Sequence, residues 1–301
     1  MASILALKRR IKAAQNVSKS TRAMQMIAAS KLKKAQNAAL SARPYVEKLT
    51  QLTQSVASTV DENFKHPYLQ QPASQRGEPE TLGQSRLARA EADKSLIIVV
   101  SPDKGLCGGL VTNLLREFLS VAKEEKEAVY INIGKKLEGR VSHFSKEVIA
   151  SFVCGTSTPT FDMVYPITKL IDEYYLGKKV DNVKILSTHF GSFFTQTPKI
   201  TTILPIAVPQ DATTTKPFAL FEPSTQDILP TLLRHNLEMV IYQQLLESFL
   251  SEQAARMLAM QNATNNAKDI ISDLQLEYNK TRQAKITSEL LDISGGRFNA
   301  R

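Results

Sequence analysis

Apolar and small residues recur along the first sixty positions in steps of three and four: Ile4, Leu7, Ile11, Ala14, Thr21, Ala28, Leu32, Ala35, Ala39 and Ala42. That is the spacing of a coiled-coil seam. Ser18 and Gln25 are its weak positions, and residues 1–43 hold neither Gly nor Pro. Pro44 predicts a kink, after which helical composition resumes to about residue 60. Residues 61–93 carry His66-Pro67, Gln71-Pro72, Gly77, Pro79 and Gly83, which predicts a loop or insertion. Apolar runs then follow at 95–101, 129–134, 147–153 and 182–190, alternating with helical segments at 109–124, 135–143 and 162–176. Strand and helix at this spacing predict a mainly parallel sheet wrapped by helices. Residues 197–206 add one more extended piece.

From Thr231 to Ser294 there are 64 residues without Gly or Pro. One helix over that span measures roughly 96 Å, far beyond a globular helix. Leu237, Ile241, Leu245, Phe249, Ala263, Ala267, Ile270 and Leu274 are its apolar positions, and Gly295-Gly296 predicts its end. Neither long helix can bury its stripe alone. The economical arrangement is α/β plus a long antiparallel coiled coil, with the N- and C-terminal helices paired and a central Rossmann-like, mostly parallel sheet domain. The expected boundaries are 1–60 for the first helix, 61–93 for the insertion, 94–206 for the α/β domain, 207–230 for a linker and 231–301 for the last helix.

Charge changes this picture. Residues 1–46 hold ten Lys and Arg and no acid, so all of the chain's net charge of +9 sits on one element and the remainder is close to neutral. An acid-free basic helix implies an acidic partner: nucleic acid, anionic lipid or an acidic protein surface. Such a terminus also fits a mitochondrial transit peptide, but the pattern runs past residue 40 into more helix. No apolar run approaches the roughly 18 residues of a membrane span. Cys107 and Cys154 have no metal-ligand spacing and read as reduced thiols, and His66, His143, His189 and His235 are isolated from one another.

The best candidate for chemistry is SPDKGLCGGL (101–110), between the strongest strand and a helix. Ligands bind at such turns in α/β folds. It matches neither GxxxxGK[ST] nor GxGxxG, so a structural glycine-rich turn outweighs a nucleotide site. No paired carboxylates, nucleophile elbow or metal cluster is evident elsewhere. Near the other terminus, NKTRQAKIT (279–287) sets Arg282 and Gln283 where a self-contained coiled coil would carry Leu or Ile. Planar guanidinium and amide groups suit contact with a third body. Met24 and Met26 are expected at a comparable distance from the tip of the helix pair.

Three segments, KSTRAMQMIAASKLKKAQ (19–36), SPDKGLCGGL and YNKTRQAKITSEL (278–290), together resemble the signature segments of the gamma subunit, the rotor shaft of the rotary proton-translocating ATP synthase. The resemblance covers nearly the whole chain apart from 61–93. It implies a shaft that turns inside a ring of alternating alpha and beta subunits and stands, with an epsilon subunit, on the membrane ring of c subunits. It implies no catalysis by the chain alone and no cofactor. Rotor–stator contacts are expected at Met24, Lys8, Arg9, Lys31, Arg282, Gln283 and Thr287, with Lys104, Gly105 and Cys107 near the acidic lever of beta. The first helix is then basic because its partner is acidic, and its stripe is thin because the partner slides past. Charge complementarity tolerates rotation better than deep apolar anchors do. A chain opening at Met1 directly into this helix favours the cytoplasmic face of a bacterial plasma membrane over the matrix side of a mitochondrial inner membrane. A basic coiled coil that binds nucleic acid is the alternative.

Overall fold

The computed structural model describes residues 4–59, 66–69, 94–125, 127–144, 147–206 and 224–296. In chain order the elements are α1 (Ile4–Thr59), β1 (Ser95–Val100), α2 (Leu110–Glu124), β2 (Val129–Ile133), α3 (Glu138–Phe144), β3 (Glu147–Phe152), α4 (Val164–Tyr175), β4 (Asn182–Phe190), β5 (Gln196–Leu204) and α5 (Thr225–Gly296). They form two compact units, one of Met1–Ala29 with Arg256–Arg301 and one of Ser30–Ala255.

The larger unit is built on one five-stranded sheet in the order β3-β2-β1-β4-β5. β1 pairs in parallel with both β2 and β4, β2 pairs in parallel with β3, and β5 closes the edge antiparallel to β4. Every residue of β1 is buried, as a central strand covered on both faces requires. The alternation of its side chains divides the core. Leu96, Ile98 and Val100 join a cluster with Val164, Ile167 and Ile171 of α4 and Leu229, Leu233, Leu237, Ile241 and Leu245 of α5. Ile97 and Val99 face the other way, onto Leu114, Phe118 and Val121 of α2. Successive steps of four along α5 keep one face on the sheet.

The smaller unit is a helix pair. Leu7 and Ala28 of α1 are buried, and Ile4, Ile11, Ala14, Ser18, Thr21 and Gln25 half-buried, so the seven-residue repeat continues through both weak positions. Opposite them α5 contributes Met260, Thr264 and Ala267, buried, then Ile271, Leu274, Tyr278 and Thr281, half-buried. Thr21 Oγ1 and Thr264 Oγ1 share a 2.8 Å hydrogen bond. Each lies eight residues from the end of its own helical segment, at Ala29 and Arg256, so the helices run antiparallel. Ile271 holds the seam position expected of Ile270, whose side chain is 53% exposed.

Pro44 lies inside α1, which runs on to Thr59. Several expectations are corrected. α5 starts at Thr225, so Pro230 falls inside the helix. Its start is fixed by Ser224 as N-cap, whose Oγ accepts from the Asp227 N–H at 3.2 Å and donates to the Asp227 carboxylate at 2.6 Å. α3 begins three residues later than expected, because Lys136 N–H bonds Pro102 O and Leu137 N–H bonds Ser101 Oγ. Residues 66–69 are not loose: Tyr68 is buried, its hydroxyl donates to Asp172, and Leu69 bridges Ile206. Burial and then this hydrogen bond raise the Tyr68 pKa well above the ordinary tyrosine range. The expectations for 61–65, 70–93 and 207–223 lie outside the described residues.

Candidate functional site

The glycine-rich loop turns out of β1 beside the ends of β2 and β3. Asp103 reaches across it: one carboxylate oxygen accepts from Lys135 N–H at 3.1 Å and the other from Gly155 N–H. Two main-chain donors from neighbouring strand ends are thus spent on the chain's own carboxylate. Further along, Cys107 and Leu110 are buried against Ala255 of α5. In open α/β sheets a ligand lies where the chain reverses its direction of winding, here at the ends of β1 and β4. Lys104 is exposed and Gly105 half-buried, whereas Cys107 is only 2% exposed. Among the described residues no group of three His, Cys, Asp or Glu could hold a metal ion.

Burial, with Asp103 and Glu252 adding repulsion, pushes the Cys154 thiol up to about 12. It is protonated at neutral pH and a poor nucleophile. At pH 7.5 the folded chain is expected to react with iodoacetamide at least tenfold more slowly than the urea-unfolded chain. Equal rates, measured by mass spectrometry, would contradict this burial.

The helices present a different kind of surface. Lys8 and Arg9 are exposed, and Met24 is 41% exposed on the flank of the seam. Val17, Met24 and Ile27, at spacings of seven and three, form a second apolar stripe with exposures of 54%, 41% and 58%. Val17 and Ile27 were not singled out from sequence, although their spacing from Met24 was the available signal. Lys31 is not a free ammonium: its Nζ donates to Thr156 O. Lys33 and Lys34 beside it are exposed.

Arg282 and Gln283 are also exposed, and so is every residue from 282 to 291. The Thr287 hydroxyl donates to Gln283 O at 2.9 Å and so turns back on its own helix. With Thr21 opposite Thr264, the antiparallel register sets Thr281 level with Ile4, the first described residue of α1. Beyond it α5 runs on without a described partner helix. The same register sets Met24 level with about residue 261. Met24 and Arg282 therefore do not share a level, and roughly twenty residues of α5 separate them, about 30 Å at 1.5 Å per residue.

The model of the family described as ATP synthase matches residues 3–298. The ATP synthase gamma chain of Dehalococcoides mccartyi is 37% identical over 298 residues, 98% of each chain. The chain belongs to the ATP synthase gamma-chain family. The gamma chain of Cupriavidus pinatubonensis is 35% identical over 306 residues, 98% of this chain and 99% of that one. Solved structures share the fold at low identity. The rotor of the Euglena gracilis mitochondrial ATP synthase gives a TM-score of 0.62 at 15% identity, over 94% of this chain and 98% of that one. The central stalk of the Tetrahymena thermophila enzyme gives 0.56 at 21% identity, over 81% and 98%.

Proposed function

We propose that this gamma chain is a central shaft. It turns inside a hexamer of alpha and beta subunits, driven through its α/β lobe by a membrane ring of c subunits, with an epsilon subunit beside it. It performs no catalysis itself and couples proton flow to ATP synthesis at beta. The observation that carries this is the helix pair. Its seam is filled by its own two helices, yet apolar and cationic side chains remain exposed on α1, and residues 282–291 of α5 are exposed. Among the described residues no helix is long and apolar enough to cross a membrane, which suits a peripheral part of such a machine. The gamma chains of Dehalococcoides mccartyi and Cupriavidus pinatubonensis are bacterial, which favours the cytoplasmic face of a plasma membrane.

Contacts with the stator are assigned to Lys8, Arg9, Met24, Arg282 and Gln283, with Lys104 and Gly105 facing the acidic lever of beta. Cys107, Lys31 and Thr287 leave this set, because their polar atoms are buried or used within the chain. The Lys135 and Gly155 N–H groups, taken up by Asp103 of the 101–110 loop, favour a transmission element over a nucleotide-binding enzyme.

Reconstitution with purified alpha and beta subunits tests the assignment. ATP hydrolysis is expected to require the chain and to fall about tenfold in the double variant Arg282→Ala/Gln283→Ala, as loss of a central polar contact pair predicts. Assembly and turnover that proceed without the chain defeat the reading.

A further inference from the structure

The turn at Cys154–Thr156, between β3 and α4, is held from two sides by groups far apart in sequence. From one side Asp103 accepts the Gly155 N–H, while its other oxygen holds Lys135. From the other side Lys31 of α1 donates to Thr156 O. Gly155 has φ +79°, and a Cβ there would meet nothing within 4 Å, so the glycine serves backbone geometry and not space. That geometry turns its N–H toward Asp103 and leaves the next carbonyl to Lys31.

We propose that Asp103 and Lys31 are positioning residues that clamp this turn and fasten α1 to the strand ends of the sheet. Val56, near the far end of α1, is fully buried in the sheet's core cluster. Lys31 lies 25 residues earlier, about 37 Å along the helix. α1 is thus fixed to the lobe at points well apart along its length. After Lys31 the buried seam runs Leu32, Ala35 and Ala39, two of the three being alanines with little side chain to resist twisting, before Val46, Leu49 and Thr53 follow. A charge-assisted bond at the Lys31 end is placed to carry load between helix and sheet. This inference rests on the shaft reading for its functional consequence, and the clamp itself is a statement about the chain alone.

Hydrogen exchange of the assembled alpha–beta–gamma–epsilon complex, followed by mass spectrometry, reads the clamp directly. Lys31→Met and Asp103→Asn are each expected to speed exchange across 154–157 about tenfold while β1 and β2 keep their protection. Lys31→Arg, which retains a donor, is expected to restore the parent rate, and Lys33→Met to leave it unchanged. Parent-like exchange in Lys31→Met overturns the clamp. Should Asp103→Asn fail to fold, Lys31→Met and Lys31→Arg still decide it. The load-bearing role is read in complexes reconstituted into vesicles. ATP-driven proton uptake per ATP hydrolysed is expected to fall at least twofold in Lys31→Met. A loosened turn with unchanged coupling overturns transmission. Failure of the shaft reading shows separately, as turnover that does not need the chain.

Discussion

Valine at position 134 is expected to destabilise the sheet unit by about 3 kcal/mol or more, through a disfavoured backbone conformation and a steric clash. Gly134 follows β2 with φ +94°, and a Cβ built there falls 1.9 Å from Ser101 O. The obstacle is main chain, so no rotamer change relieves it. Its N–H is also committed, bonding Phe152 O at 2.7 Å. The ends of β1, β2 and β3 therefore converge on one residue with no room to move. Gly155 is the internal control: it shares the positive φ but meets nothing, so Gly155→Ala is expected to cost about 1 kcal/mol. Urea unfolding followed by circular dichroism checks the order. A Gly134→Val chain with the parent midpoint would show that the strand ends are not packed this way. Lys135, which holds Asp103, is the next residue, so the same substitution also disturbs the clamp.

Periodicity made the architecture legible. The repeat beginning at Ile4 and Leu7 continues unbroken into the buried seam of α1, and the run at 95–101 became the central strand. Both signals come from residues that are either buried on every side or buried on one strict face. Boundaries were less legible, because they depend on contacts distant in sequence. Pro230 marked an apparent break, but Ser224 and Asp227 had already started the helix upstream. Tyr68 lay in a stretch dominated by Gly, Pro and polar residues, and only its partner Asp172, more than a hundred residues away, shows why it is buried. Ile270 and Ile271 are adjacent apolar residues, and one step of helical phase decided which faces the seam.

The candidate site divided along similar lines. Met24, Arg282 and Gln283 are exposed, as their unusual setting in the sequence suggested. Cys107, Lys31 and Thr287 could not be placed from sequence alone. A cysteine beside glycines looks accessible until Leu110 and Ala255 close over it. A lysine in a basic run looks free until a turn 125 residues away offers a carbonyl. The level of Met24 relative to Arg282 needed a register, and one hydroxyl pair, Thr21 with Thr264, supplies it.

Aspartate at position 241 is expected to release α5 from the sheet. Ile241 is fully buried in the middle of the stripe formed by Leu233, Leu237 and Leu245. Truncation of such a side chain costs about 2–5 kcal/mol. An unpaired carboxylate in the same place adds the penalty of a buried polar group without a partner. The total is expected to exceed about 4 kcal/mol, a large part of the stability of an ordinary domain. Ile241→Val removes one methylene and is expected to cost only about 1 kcal/mol. Leu276→Asp on the same helix, at a side chain 68% exposed, is expected to change stability by less than about 0.5 kcal/mol. The three variants separate two uses of one helix: its first half anchors the sheet, and its second half offers a surface. In reconstitution, Ile241→Asp is expected to abolish gamma-dependent turnover because the chain no longer folds. Arg282→Ala/Gln283→Ala is expected to lower turnover with the melting curve intact. If Ile241→Asp melts with the parent, the stripe on the sheet is not what holds α5 in place.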